Sequence, residues 1–443
     1  MSVGVKDNRA RELLACWRAG VAAADPRDAV TRALDDLAGP VRQPWIISLG
    51  KASRPMAEAA LAWLEGRGGR AAGGLVVSHE TVSLPVLESI RGDHPVPGAR
   101  SSAAAEALGR LCRILPAGAD VWVLLSGGTT SLIGGPATGL TEADLAESYR
   151  TLLESGLDIR RMNQVRKRLS RWGGGQLLAA LGRRPILQLV VSDVPGDDLS
   201  SIGSGPLIPD PTPGAELLRD LHAGGILQCL PVRAIARLRA LAVEPGPAPA
   251  VAPPAQVVSR IVVSNRIAIA AAADAGRRLG WEVAVVEDYL EGDAASWGAE
   301  LAGRLVALAG PGPVLLVAGG ETTVLLPPGH RAPGGRCQEL ALSAAAAMQG
   351  AAAPLLLLAA GTDGRDGPTE AAGALVNRET WEEIRRAGGD PGRALADHAS
   401  HDALALAGAL VHTGPTGTNV ADLVLAFRDA GQAPGTSADP AAR

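Results

Sequence analysis

Apolar positions recur at helical spacing along residues 8–38, where Leu13, Leu14, Trp17 and Val21 share one face and predict two amphipathic helices. Beyond them, short runs that are apolar on both faces alternate with stretches of 3.6-residue period. Trp45–Leu49, Gly74–Ser78, Val121–Ser126 and Ile186–Ser192 read as strands, with helices at Arg54–Glu65, Arg100–Leu115 and Thr141–Ser155. Doubly apolar strands separated by helices predict a parallel sheet covered on both faces. Residues 214–241 read as helical. The periodicity then stops at VEPGPAPAVAPPAQ, residues 243–256, which predicts an extended linker. It restarts with strands at Val257–Val263, Glu282–Val286, Val314–Ala318, Thr322–Leu326, Leu355–Ala359 and Leu410–His412. Helices are predicted at Ile267–Leu279, Ala294–Ala309, Cys337–Met348 and Glu379–Ala387. The expected fold class is α/β, with one lobe over residues 1–242, a second over 257–430, and a disordered tail at 431–443. An interdomain cleft between the lobes is the expected place for a small ligand.

Composition narrows the function. A chain of 443 residues, 47% hydrophobic and 20% charged, has room for two domains or three. A net charge of −4 speaks against a nucleic-acid partner. The N-terminus has no apolar signal region, and no run reaches the roughly 18 apolar residues of a membrane span. Cys16, Cys112, Cys229 and Cys337 form no C-x-x-C pair, which points to a reducing, cytoplasmic location. Among 42 cations only Lys6, Lys51 and Lys167 are lysines. A GC-rich coding bias accounts for the excess of arginine, yet two of these lysines fall inside motifs.

Several standard fingerprints are missing. Gly50-Lys51 lacks the upstream glycine of a Walker A loop, no G-x-G-x-x-G links a strand to a helix, and neither H-E-x-x-H nor G-x-S-x-G occurs. What remains is a set of turns at predicted strand ends. IISLGKAS places Lys51 where a strand gives way to a helix, a poor place for an idle cation but a good one for meeting a phosphate. LLSGGTTSLIGGP sets Ser126, Gly127, Gly128, Thr129, Thr130 and Ser131 after a buried strand, where glycine amides and hydroxyls can cradle an anion. In MNQVRKRLS, Asn163 and Lys167 lie four apart and share a helix face, although the run of cations also reads as a solvated surface. VVSDVPGDD groups Asp193, Asp197 and Asp198, a set suited to Mg²⁺ as well as to turn formation.

Further on, Glu321 follows Gly319-Gly320, and Arg336 follows Gly334-Gly335 at a helix start, where a guanidinium can clamp an oxyanion. Residues 327–333 between them read as a flexible loop and candidate lid. Cys337 sits where a cation and a helix N-terminus would lower a thiol pKa, but it has no His partner and is not proposed as a nucleophile. Asp363 and Asp366 lie among glycines, as does Asn419, and each reads equally well as turn chemistry. His94 in GDHPVP is a ligand or a loop residue. His398 and His401 read as surface.

Eight of these motifs (LGKAS, GDHPVPG, LSGGTTSL, MNQVRKRLS, SDVPGDD with GSGPLIPDPT, GGETT with GGRCQE, GTDGRDGP and TGPTGTNVADL) occur in one order over residues 8–428. In this the chain resembles the glycerate 2-kinase family, which joins a DUF4147 domain to a MOFRL domain. The resemblance implies a Rossmann-like N-terminal domain, a smaller MOFRL-type domain, and ATP- and Mg²⁺-dependent phosphorylation of D-glycerate at its 2-hydroxyl. Lys51 and Arg336 match a lysine and an arginine of that family's active site. On this reading Ser126 to Ser131, Asn163 and Lys167 hold the nucleotide. Asp197, Asp198, Asp363 and Asp366 serve the metal, and Glu321, Asn419 and His94 contact the acid. Asp193 is the expected base. The chain departs from the family pattern at SGGTTS for SGGGSA, at Cys337 for an Asn, and at Gly98-Ala99 for Asp-Glu. A reductase acting on hydroxypyruvate, a kinase for a related hydroxy acid, and a non-catalytic binding protein are the alternatives. A homodimer is compatible with all of them.

Overall fold

The structure, a computed structural model, describes residues 8–37, 43–157, 159–243, 256–308 and 312–429. Of the expected linker (residues 243–256), residues 244–255 lie outside these residues, as does the expected tail (431–443). The chain forms two units, one from residues 26–263 and one joining the N-terminal 25 residues to everything from Ser264 onward.

Helix α1 (Asn8–Ala23) belongs to the second unit. The first contains α2 (Pro26–Asp35), β1 (Trp45–Leu49), α3 (Ser53–Gly66), β2 (Gly73–Ser78), β3 (Glu88–Arg91), α4 (Ala99–Ile114), β4 (Val121–Leu125) and the single turn α5 (Thr129–Leu132). It continues with α6 (Glu142–Glu154), α7 (Ile159–Leu169), α8 (Gln176–Leu181), β5 (Ile186–Val191), α9 (Gly214–Ala223), α10 (Val232–Val243) and β6 (Val257–Val263). The sheet is parallel throughout, in the order β3-β2-β1-β4-β5-β6. This is the doubly wound, Rossmann-type order. All six residues of β5 are buried, as a strand covered on both faces requires. On one face, Ile47, Leu49, Val123 and Leu125 pack with Ala104, Leu108 and Leu111 of α4. A capping box starts α6: Thr141 Oγ1 accepts from the Asp144 amide at 3.2 Å, and Asp144 accepts from the Thr141 amide at 2.8 Å. Helices α6, α7, α9 and α10 close a separate apolar cluster around Tyr149, Leu152, Val165 and Leu169.

The second unit contains α11 (Asn265–Arg278), β7 (Glu282–Val285), β8 (Leu290–Asp293), α12 (Ala294–Ala307), β9 (Val314–Thr323), α13 (Arg336–Ala347) and β10 (Leu355–Gly361). After these come β11 (Gly373–Asn377), α14 (Thr380–Arg386), α15 (Pro391–Ala396), α16 (Ser400–Leu406), β12 (Leu410–Val411) and β13 (Asp422–Arg428). Its sheet runs β12-β11-β10-β13-β9-β7, with β8 also on β9. Pairing is antiparallel from β12 to β9, and only β7 and β8 lie parallel to β9. Helix α1 completes this unit: Trp17 is 1% exposed, and its indole donates to the Ala360 carbonyl at 3.3 Å.

Two boundaries differ from the sequence reading. Val257–Val263 was expected to open the C-terminal lobe, but it pairs with β5 as the sixth strand of the first sheet. Residues 8–25 were assigned to the N-terminal lobe and instead pack in the second unit. Hydrophobic pattern identifies a strand or a helix face, but it does not name the partner that covers it. The same limit explains why a sheet read as resuming the alternation is largely antiparallel; β3, β8, β11 and β13 are further strands beyond the sequence reading. Among the described residues no helix is long and apolar enough to cross a membrane.

Trp17→Ala is expected to destabilise the protein by about 3–5 kcal/mol, the cost of emptying a packed aromatic site. Urea unfolding monitored by circular dichroism measures it, and a loss below about 1 kcal/mol would contradict the burial of α1.

Candidate active site

In a doubly wound sheet the ligand edge lies beyond the carboxyl ends of the strands, where the winding reverses. Here that point falls between the neighbours β1 and β4. Their outgoing turns carry Gly50-Lys51 and Ser126-Gly127-Gly128, and the two turns are bonded together. The Lys51 amide donates to the Gly127 carbonyl at 2.9 Å, Ala52 N–H to Ser126 Oγ at 3.0 Å, and Ser126 N–H to the Leu49 carbonyl at 2.9 Å. Gly128 has φ +82°, a left-handed conformation that favours glycine.

Three candidate groups meet at this turn. A Cβ on Gly127 would collide with the Asp193 carboxylate, delivered by the end of β5. A Cβ on Gly128 would lie 3.1 Å from Lys51 Cγ and 3.6 Å from His94 Cε1. Lys51, His94 and Asp193 therefore converge on a backbone that only glycine leaves open to them. Lys51 and Asp193 are solvent-exposed.

The hydroxyls of the loop are used differently from the sequence expectation. Ser126 and Thr129 are buried, and both hydroxyls donate to backbone carbonyls, Ser126 to Leu49 and Thr129 to Ser126. Ser131 Oγ donates to the Gly128 carbonyl and meets His94 Nδ1 at 2.7 Å. Thr130 pairs with Ser204 at 2.9 Å. These side chains build the turn rather than project from it. Partial burial, with Lys51 close by, pushes the His94 imidazole down to about 4.

Asn163 and Lys167 share a buried face of α7, as their spacing predicted. The Asn163 amide donates to the Ser201 carbonyl at 3.4 Å. Burial lowers the Lys167 pKa, while Asp210 and Asp198 act against that shift. Asp198 accepts from the amide and hydroxyl of Ser200 and from the hydroxyl of Ser201, at 2.6–3.0 Å. Asp197 adopts φ +57° in the same loop.

A second cluster forms in the other unit, around the N-terminus of α13. Arg336 Nε and Nη2 contact the two oxygens of Asp422 at 2.5 and 3.0 Å, and Nη1 lies 3.3 Å from Glu321. Burial works against the guanidinium's charge, but Asp422 prevails and raises its pKa. Asp422 was not anticipated, although an acid entering the apolar run DLVLAF is an available signal. The fork that Arg336 was expected to offer a ligand is held by the protein's own carboxylate, so only its remaining N–H groups can reach one.

Asp366, expected as a metal ligand, is 1% exposed. It accepts from the amides of Cys337 and Gln338 and from Gln338 Nε2, at 2.9–3.1 Å. It caps α13 and has no face toward solvent. Asp363 is half-buried and accepts from the Arg365 amide, and exposed Asn419 accepts from Ala421 in a turn. Cys337 departs from the expected lowered thiol: burial, with Asp422 and Asp366 beside it, pushes its pKa well up. His398 and His401 are not idle surface groups. Their Nδ1 atoms lie 2.8 Å from Glu339 and from Gln338 of α13. The expected lid is also tied, through His330 to the Asp397 carbonyl and through Pro333 to the His401 amide.

Residues 12–239 match the family described as a domain of unknown function, DUF4147, and residues 314–422 match the MOFRL family. A glycerate 2-kinase of Pyrococcus horikoshii is 36% identical over 86% of this chain and 87% of its own. An Agrobacterium vitis protein, whose name of hydroxypyruvate reductase is a provisional one, is 37% identical over 94% of both chains. The crystal structure of glycerate kinase from Thermotoga maritima superimposes with a TM-score of 0.84 at 31% identity, covering 95% of this chain and 99% of that one.

His94 is expected to stay neutral from pH 8 down to pH 5. Its native pKa is depressed, so the unfolded chain takes up the proton first, and its contribution to stability is lost as pH falls from about 6.5 toward 4. An NMR titration of the histidine ring protons checks this, and a His94 midpoint near 6.5 would contradict it.

Proposed function

The chain belongs to the glycerate 2-kinase family, and on that premise we propose that it transfers the γ-phosphoryl group of ATP to the 2-hydroxyl of D-glycerate, giving 2-phosphoglycerate and ADP. The observation that supports this best is the Gly127–Gly128 turn flanked by Asp193 and Lys51. Phosphoryl transfer needs little covalent chemistry from a protein; it needs positioning and neutralisation of charge. The glycine backbone holds the transferring phosphate, and Lys51 stabilises the charge on its equatorial oxygens. The 2-hydroxyl oxygen attacks phosphorus, the bond to the ADP oxygen breaks, and Asp193 accepts the hydroxyl proton. His94, neutral at working pH, donates or accepts a hydrogen bond without adding repulsion to Lys51. Asn163 and Lys167 support the nucleotide from α7. In the other unit, Arg336, oriented by Asp422 and flanked by Glu321, keeps remaining donors that suit an oxyanion.

The donor set suits Mg²⁺ as the accompanying ion, because that ion takes one or two carboxylates together with substrate phosphates. Asp197 and Asp198 are the groups that would hold it, whereas Asp366, sealed under α13, does not fit. Bound Mg²⁺ would neutralise phosphate charge. All four cysteines are free thiols, which supports a cytoplasmic location.

Wild-type protein given ATP, Mg²⁺ and D-glycerate should give signal through enolase and pyruvate kinase without a mutase. Signal only after phosphoglycerate mutase is added would move the phosphate to the 3-position. Oxidation of NADH by hydroxypyruvate, with no kinase signal, would favour the reductase. Lys51→Ala should lower kcat by about 10²–10³-fold with an unchanged melting temperature, and wild-type turnover would remove Lys51 from the mechanism.

A further inference from the structure

Helix α7 contains more cations than the nucleotide role of Lys167 requires, and they differ in how they are balanced. Arg161 is paired with Asp220, and Arg168 with Asp210 at 2.6 Å. Arg166 has no carboxylate within 4 Å among the described residues, and its Nε is buried without a hydrogen-bond partner. Its guanidinium carbon lies 5.0 Å from the centre of the Tyr149 ring, and that ring is 1% exposed. The charge of Arg166 is also a minor cause of the lowered His94 pKa, after burial and Lys51.

A half-buried guanidinium whose Nε–H is sealed from solvent without an acceptor, and which has no counter-charge, is costly to keep. An aromatic face compensates part of that cost and fixes the plane of the group. It supplies no acceptor for the buried Nε–H, and an arginine cannot shed its proton to escape the cost. The missing partner is then an oxyanion that arrives with the substrate, and a planar fork suits either a carboxylate or a phosphate.

We propose that Arg166, seated on Tyr149, binds an oxyanion of the reactants. The anion is either the carboxylate of the hydroxy acid or a phosphate of the nucleotide. Burial already lowers the Arg166 pKa, and an arriving anion would relieve that strain on its charge. The inference rests on the kinase reading for the identity of the reactants, but not for the anion itself.

The test compares wild type, Arg166→Gln, Arg166→Lys and the exposed-site control Arg160→Gln. KM for D-glycerate and for ATP are measured separately, alongside thermal stabilisation by millimolar inorganic phosphate. A KM for D-glycerate raised about ten- to a hundred-fold in both Arg166 variants, with kcat changed less and ATP unaffected, assigns the carboxylate. The same rise for ATP alone assigns a phosphate. Arg166→Lys keeps the charge but not the fork, so it should remain impaired, and it serves if the Gln variant does not fold. Wild-type values of both KM in a folded Arg166 variant overturn the proposal and leave the kinase reading intact. If wild type turns over no glycerate, the kinase reading fails instead. The phosphate stabilisation then decides the proposal: its loss in the Arg166 variants but not in Arg160→Gln upholds it, and its absence from wild type or its survival in the variants overturns it.

Discussion

Everything in the N-terminal site follows from the distance between two strands. Neighbouring strands lie about 4.8 Å apart, so the turns leaving β1 and β4 on the same edge are forced against each other. Backbone bonds from Lys51 to Gly127 and from Ser126 to Leu49 satisfy that contact. The closeness leaves no room for side chains on the second turn: Asp193 fills the space beside Gly127, and Lys51 and His94 crowd Gly128. Glycine is therefore demanded by packing at both positions of the turn.

The second cluster solves a different problem, the burial of carboxylates. Burial pushes both Asp366 and Asp422 up from the ordinary carboxylate range. Asp366 is held by the first amides of α13, which lack intrahelical acceptors, and by Gln338. Asp422 is held by Arg336 in a two-point contact. The arginine is fixed at its base by the helix cap and at its head by an acid from β13. His398 and His401 extend the same framework through Glu339 and Gln338. Removing one partner would leave a buried charge uncompensated, so the elements around Arg336 depend on one another.

Much of this was legible in the chain. The alternation of apolar runs and helical periods located β1, β4 and β5, and the strand-end turns pointed to Lys51, the Gly127–Gly128 loop and Asp193. Spacing alone placed Asn163 and Lys167 on one face of α7. The roles of individual oxygens were not legible. Ser126 and Thr129 resemble ligand donors in sequence, yet their hydroxyls donate to carbonyls inside the turn. Asp363 and Asp366 look equivalent, but one is half-buried and the other is sealed under α13. A hydroxyl or carboxylate takes its function from what lies within about 3 Å, and sequence separation carries no information about that distance.

The sequence by itself determined the α/β class, the order of the chemical motifs and the residue types that can serve phosphoryl transfer. These depend on local periodicity and on side-chain chemistry, which are properties of the chain. Tertiary structure alone decided that β6 joins the first sheet and α1 the second unit, because an apolar surface accepts any complementary partner. It also decided that Asp422 holds Arg336 and that Arg166 rests on Tyr149 without an acid, because counter-charges are assigned by proximity in space.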